Sequence, residues 1–362
     1  MKKIKLFDVN LDKKEAKAVL NVLNSKFWAS GAGIKKVDSF EKKFNVYTGS
    51  KKCIAVNSGT AALHLALSLI DLKNKEVILP SLSFVSTAHS IIYNGGKPVF
   101  VDIEPKTLCI NPEKIKQAIT KNTKIILPVH FGGATCNLKE ISKICKKNQI
   151  MLIEDAAHAS GASYNGKKIG SHGDAVCFSF HPVKNLAMPT GGAITINRKF
   201  GTKSEKSLKS RRWCGISNRK GIEYDVIEKG WNFYMNEFSA AIGLVQLLKL
   251  DKLNKYRKKI AKRYHEEILI HNKMPFNNEW SYHIYWIQVK NRKEFMKKMN
   301  DVNIETGIHY KPIHKMTLYF QNKKLPITEQ VGKEIVSIPM HPNLNENEVN
   351  KIIKNVNKFA KN

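Results

Sequence analysis

The sequence predicts an α/β fold: a large domain on a mainly parallel, seven-stranded sheet between helices, followed by a smaller α+β domain. Three observations carry this. Short β-rich runs alternate with helical patterns through the first half, the rhythm of parallel strands joined by crossover helices. The strands are apolar along their whole length, as strands covered on both faces are. From residue 238 the texture changes to one long amphipathic helical stretch. The division is placed at 248/249, giving domains 1–248 and 249–362, with a leading helix over about the first 20 residues.

Each element follows in order. CIAV (53–56) reads as a strand and TAALHLALSLIDL (60–72) as a helix. EVILP (76–80) is a strand, and FVSTAHSIIYNGG (84–96) a helix stopped by its glycines. KPVFVDI (97–103), KIILPVH (124–130) and IMLIEDA (150–156) are strands, with helices NPEKIKQAI (111–119) and NLKEISKICKKN (137–148) between them. DAVCFSF (174–180) and GGAITIN (191–197) complete the seven. The long helical stretch runs from 238 to 271, then strand-like runs HIYWIQV (283–289) and IETGIHYK (304–311), and a last helix at 345–359.

Composition excludes several classes. The chain has 362 residues, 42% of them hydrophobic, enough for a sizeable core. No apolar run approaches the roughly 18 to 20 residues of a membrane span. The N-terminus carries charges throughout and no apolar h-region, which predicts no secretory signal, a cytoplasmic protein and no membrane partner. The net charge is +31, from 61 basic and 30 acidic residues. A polyanion partner is one reading. Arg supplies only seven of the basic residues and Lys forms no dense block, so nucleic acid is not expected as a partner. The six cysteines (Cys53, Cys109, Cys136, Cys145, Cys177, Cys214) include no CxxC pair, so buried reduced thiols are expected and no metal site.

Three loops at strand carboxyl ends carry the chemistry, since that is where doubly wound sheets bind ligands. Ser58-Gly59-Thr60 lies between a strand and a helix. Small residues at a helix start can cradle a phosphate, although Ser58 or Thr60 could equally be a plain N-cap. Asp155 ends an apolar strand, where a carboxylate needs a charged or hydrogen-bonded partner; His158 follows it and could be an ordinary core-edge histidine. Lys184 lies in the nearly uncharged stretch after Ser179 and His181, where a lysine can act as an amine nucleophile or a base. A snorkelling surface lysine is the plainer alternative. Together a cradle, a strand-end Asp and a loop Lys, in that order, are what pyridoxal 5'-phosphate (PLP) requires. The cradle holds the phosphate, the Asp keeps the pyridine nitrogen protonated, and the Lys bonds the aldehyde.

Longer segments add to these loops. NSGTAALHLAL (57–67), LPSLSFVSTAHSIIYNGGKPVFVDIEP (79–105), IEDAAHASGASYNGKKIGSHGDAVCFSFHPVKNL (153–186), GWNFYMNEFSAAIGLVQL (230–247), HYKPIH (309–314) and SIPMHPNL (337–344) resemble the DegT/DnrJ/EryC1/StrS family of PLP-dependent nucleotide-sugar aminotransferases, nearly end to end. The resemblance implies the aspartate aminotransferase (type I) fold. It makes Lys184 the lysine that bonds PLP and Asp155 the partner of the pyridine nitrogen. It places His158 near the phenolic oxygen, Ser58, Gly59, Thr60 and Ser179 at the phosphate, and Phe84 stacked on the ring. Asn232 would reach the neighbouring subunit's phosphate, implying a homodimer with shared active sites. His181, His309 and His314 would face the nucleotide sugar. The chain departs from the family's G-Y-N-x-R-M pattern, carrying Tyr234 where Arg is usual. That removes an anion contact relatives can make.

The implied reaction is transfer of an amino group from L-glutamate to a nucleotide-linked keto-sugar, a 4-keto-6-deoxyhexose by the family's habit. Amination at C3 and sugar dehydration on the same fold are alternatives. Dehydratase relatives carry His in place of the lysine, so Lys184 argues for transamination. A degenerate, polyanion-binding scaffold is a reading of a different class, and the complete Lys184, Asp155 and Gly59-Thr60 set argues against it.

Overall fold

The computed structural model describes residues 3–197 and 202–360. The Asp12 side chain accepts the Lys14 N–H, and Glu15 accepts the Asp12 N–H, a capping box that starts helix α1 (Lys13–Asn24). This corrects the expected leading helix. Residues 1–2 of it lie outside the described residues, and the chain ahead of Asp12 is drawn into pairing with a distant segment: Ile4 bridges Ile304, and the Leu6 N–H reaches Glu305.

Helix α2 (Lys36–Thr48) ends at Gly49, whose φ of 67° is the left-handed stop that glycine accepts without strain. There follow β1 (Lys52–Val56), α3 (Gly59–Ser68), β2 (Glu76–Pro80), α4 (Ser86–Tyr93), β3 (Lys97–Val101), α5 (Pro112–Ala118) and β4 (Thr123–Ile126). Next come α6 (Leu138–Lys147), β5 (Met151–Asp155), a small hairpin of β6 (Ser163–Tyr164) and β7 (Lys167–Lys168), then β8 (Ala175–Ser179) and β9 (Gly192–Ile196). Helix α7 (Thr202–Arg211) leads to a hairpin of β10 (Ile216–Lys220) and β11 (Glu223–Val226). Helix α8 (Glu237–Glu267) is 31 residues long and begins on the Asn236 side chain, which accepts the Ser239 N–H. The C-terminal part adds β12 (Tyr285–Gln288), α9 (Arg292–Asp301), α10 (Pro326–Glu334), β13 (Ile335–Ile338) and α11 (Glu346–Phe359).

The main sheet has seven strands in the order β1-β9-β8-β5-β4-β2-β3. All pairings from β8 across to β3 are parallel, and only β9 runs against its neighbours. The α/β sheet expected from the sequence is therefore the observed one. Alternation puts successive side chains on opposite faces. Val176 and Phe178 of β8 enter one apolar layer, while Ala175 and Cys177 enter the other. Both faces are covered, which explains the continuously apolar strands. Five cysteines are buried free thiols and Cys214 is exposed.

In the C-terminal part, β12 pairs with β13 in a two-stranded antiparallel sheet. The expected strand at 304–311 is not one. It makes isolated bridges at Ile304 and Gly307, then leaves the sheet toward the strand ends, and Pro312 has no N–H to continue a ladder.

Candidate active site

The carboxyl ends of β1, β2, β5 and β8 and the start of the reversed β9 open on a cavity of about 350 Å³. Parallel strands and the one antiparallel strand thus deliver loops to the same cavity.

At β1 the chain turns directly into α3. Ser58 is the N-cap, its hydroxyl accepting the Ala61 N–H at 3.1 Å while its carbonyl accepts the Ala62 N–H. The N–H groups of Gly59 and Thr60 are left at the positive end of the helix. The cap and cradle readings of this loop are therefore compatible. Gly59 is needed for closeness: a Cβ there would lie 2.6 Å from the Ser179 Cβ. Thr60 and Ser86 hydroxyls meet at 2.8 Å on the same rim.

Asp155 ends β5 with its side chain buried. Its Oδ2 accepts the Thr87 hydroxyl at 2.8 Å and its Oδ1 the Ala157 N–H at 3.1 Å. Burial raises its pKa; those hydrogen bonds and the Lys184 charge oppose the rise. Such a carboxylate is relieved by a cation placed in the cavity beside it.

Lys184 sits on the loop between β8 and β9, its N–H bonded to the His181 carbonyl at 2.8 Å. Its side chain keeps a face open to the cavity but is otherwise enclosed. Burial lowers its pKa to about 8, against the pull of Asp155. An amine in this range has a usable neutral fraction near neutrality.

His158 is buried and held in one tautomer. Its Nδ1 accepts the Gly132 N–H at 3.2 Å, so Nε2 carries the hydrogen and donates to the Tyr310 hydroxyl at 3.1 Å. Burial, with the charges of Lys184 and His309, pushes its pKa well down, so the ring is neutral. Phe84 lies exposed on the rim, its ring 5.9 Å from that of Tyr310. His181 and His309 also line the cavity, and His309 Nδ1 meets the Ser337 hydroxyl at 2.8 Å.

Ser58, Gly59, Thr60, Phe84, Asp155, His158, Ser179, His181, Lys184 and His309 all border this one space. Asn232 does not. It is exposed, with its carbonyl accepting the Asn57 side-chain N–H at 3.3 Å, and Tyr234 nearby is also absent from the lining. His314 is a correction: it is fully buried away from the cavity, its Nδ1 accepting the Ser81 hydroxyl at 2.6 Å and its Nε2 3.3 Å from Glu329. With both ring nitrogens occupied it ties the C-terminal loop to the end of β2 and cannot face a substrate.

Thr87, Tyr310, His283 and Phe7 belong to the site and are missed by sequence reasoning. Thr87 hides inside a helical pattern and His283 at the start of a strand-like run. Only the fold brings His283 beside Lys184 and Phe7 beside His283. Among the described residues, no group of three His, Cys, Asp or Glu side chains is arranged to hold a metal.

Comparison with known proteins gives the family. The DegT/DnrJ/EryC1/StrS aminotransferase family matches residues 9–357. The chain is 34% identical to the spore coat polysaccharide biosynthesis protein SpsC of Bacillus subtilis, over 97% of this chain and 95% of that one. Among solved structures it is similar to Helicobacter pylori PseC, an aminotransferase involved in pseudoaminic acid biosynthesis, with a TM-score of 0.93, 30% identity and 99% of each chain covered. It also resembles a sugar aminotransferase, Spr1654 of Streptococcus pneumoniae, in its PLP form, with a TM-score of 0.93, 27% identity and coverage of 99% and 98%.

The residues present fit PLP. Gly59 leaves room against Ser179 for a phosphate at the N-terminus of α3, the buried Asp155 carboxylate calls for a cationic ring nitrogen, and Lys184 supplies an amine in the same cavity. The chain belongs to the DegT/DnrJ/EryC1/StrS aminotransferase family and is a PLP-dependent sugar aminotransferase.

Proposed function

We propose that this enzyme transfers the amino group of L-glutamate to a nucleotide-linked 4-keto-6-deoxyhexose, giving a 4-amino-4,6-dideoxy sugar nucleotide for glycan biosynthesis. The observation that carries it is the pairing of a Lys184 amine, its pKa lowered to about 8, with the buried Asp155 carboxylate at one cavity. We assign Ser58, Gly59, Thr60 and Ser179 to the phosphate, Phe84 to the ring face, His158 to the phenolic oxygen, and His181 and His309 to the sugar nucleotide. The likeness to SpsC and PseC, named for polysaccharide and pseudoaminic acid biosynthesis, supports a product of that kind.

PLP supplies an aldehyde and an electron-poor ring. The chain's own residues do the rest. Asp155 holds a proton on the ring nitrogen by charge. Lys184 Nζ takes and returns the proton at the donor's α-carbon, a role its lowered pKa suits at neutral pH. His158, neutral and fixed by Gly132 and Tyr310, orients a hydrogen-bonding group without adding charge. We propose further that the enzyme is a cytoplasmic homodimer, with Asn232 of each subunit serving the other's phosphate. Its exposure in the single chain is compatible with that. No helix among the described residues is long and apolar enough to cross a membrane. The +31 charge would gather dianionic nucleotide sugars, most effectively at low salt.

Absorption spectroscopy with PLP tests this reading. The visible band of lysine-bound cofactor should form, glutamate alone should abolish it, and a nucleotide-linked 4-keto sugar should restore it with ping-pong kinetics. Lys184→Ala should show neither band nor turnover. Turnover at the wild-type rate in that variant would overturn the assignment, and restoration only by 3-keto sugars would move the reaction to C3.

A further inference from the structure

His283, from the C-terminal part of the chain, stands beside the lysine of the proposed reaction. Its Nε2 lies 3.4 Å from Lys184 Nζ, and the ring is buried. Two rings pack against it. The His158 ring lies 4.6 Å away, tilted by 48°, and the Phe7 ring stacks at 5.4 Å and 16°. Phe7 in turn meets the edge of His309 at 5.7 Å. The leading segment that carries Phe7 is tied down by the Ile4–Ile304 bridge and the Leu6 N–H to Glu305, so the column rests on three distant parts of the chain.

The second nitrogen of His283 is telling. Its Nδ1 is buried and has no hydrogen-bond partner among the described residues. His158 has its tautomer dictated by Gly132, whereas nothing at Nδ1 dictates that of His283. Among the described residues, the hydrogen-bond partner at Nε2 is Lys184. A lysine ammonium can only donate, so Nε2 must present its lone pair while Lys184 is protonated. The ionisable groups around His283 are Lys184, His158, His309 and, on α8, Arg257; all are basic, and with burial they keep the ring neutral and therefore able to accept.

We propose that His283 is a positioning residue for Lys184: its Nε2 accepts from the lysine ammonium and holds it at the cavity wall, while the His158–His283–Phe7 column fixes the ring that does so. The inference rests on the reading of Lys184 as the reacting lysine. Asp155 attracts the same ammonium electrostatically. His283 adds a directed acceptor, which a charge alone does not provide.

The test is the pH dependence of Lys184 carbamylation by cyanate in the full-length apoprotein, read by peptide mass spectrometry. His283→Phe keeps a flat ring in the column and removes the acceptor. Its labelling midpoint should fall by about one pH unit, roughly a tenfold loss of proton affinity. His283→Gln puts an amide oxygen near the Nε2 position and should return the midpoint toward wild type. His283→Asn is too short to reach and should behave like the phenylalanine variant, which keeps the question open to answer if that variant does not fold. Coincident midpoints in wild type, Phe and Asn variants, with only thermal stability reduced, would overturn the proposal. Borohydride reduction of the PLP-loaded wild type separates the two readings. Failure to fix PLP on Lys184 would defeat the assignment of that lysine, while the apoprotein midpoints would still decide whether His283 holds it.

Discussion

The Thr87 hydroxyl donates to Asp155 Oδ2 at 2.8 Å, joining the first turn of α4 to the end of β5. Thr87 also meets the Ser83 hydroxyl at 2.7 Å, so the carboxylate is held through a short hydroxyl chain from the β2 loop. The carboxylate proposed to face the cofactor's ring nitrogen is thus aimed by an adjacent strand's loop as well as by its own.

Thr87→Val should leave that buried oxygen short of one donor, a loss of about 1–3 kcal/mol. Asp155 would then take up a proton more readily, since the Thr87 bond is one of the forces opposing its raised pKa. We expect kcat to fall by roughly tenfold or more in Thr87→Val and to remain near wild type in Thr87→Ser. Steady-state kinetics of the two variants checks this.

Gly59→Ala places a methyl 2.6 Å from the Ser179 Cβ. Overpacking of this kind costs about 1–3 kcal/mol. The strain falls on the proposed phosphate cradle, so PLP affinity should weaken by roughly 10- to 100-fold while circular dichroism stays native. Fluorescence titration of the apoprotein with PLP measures it.

Acid should destabilise the apoprotein through its buried histidines. Burial lowers the His309 pKa from 6.5 to about 4, with the Lys184 charge acting in the same direction. Between those values the unfolded chain binds a proton that the folded one does not. This histidine's neutral state is therefore no handicap above pH 6.5, and stability is lost as the pH falls toward 4. Thermal melts at pH 7.5 and 5 should show a smaller drop for His309→Gln than for wild type.

His314→Ala should act on stability and spare substrate binding. The ring is buried between Ser81 and Glu329, and its removal leaves the Ser81 hydroxyl without one partner. A melting temperature lowered by several degrees, as a loss of about 1–3 kcal/mol implies, is expected with an unchanged KM for the sugar nucleotide. A raised KM with an unchanged melting temperature would return His314 to the substrate.

The seven main-sheet strands are legible because each is a short apolar run between turn residues, and the reversed β9 differs in direction but not in pattern. Hairpin β10–β11 is not legible. Every residue of Glu223–Val226 is exposed, so no inside-outside alternation marks it. Lys184 and Asp155 stand out locally, one as a charge in an uncharged stretch, the other as a charge ending an apolar strand. Tyr310, His283 and Phe7 have no such local mark. Tertiary folding alone brings them together, Tyr310 lining the cavity of Lys184, His283 touching Lys184 and Phe7 stacking on His283. His314 misleads for the same reason: close in sequence to a cavity-lining histidine, it is turned in space toward Ser81 and Glu329.

Helix α8 has a mechanical consequence. At 1.5 Å per residue its 31 residues form a rod about 46 Å long, with no proline to bend it. Near its start Gln246 grips Glu15 of α1; midway Asn254 accepts the Asn185 side-chain N–H at 2.8 Å, one residue from Lys184. Beyond that, Arg257 and Tyr264 donate to the carbonyls of Met340 and Pro339. A load applied at the C-terminal end is transmitted along this lever to the lysine's loop, with no hinge on the way to absorb it. The spacing between the Lys184 loop and the Met340 and Pro339 carbonyls is therefore kept by the stiffness of one helix.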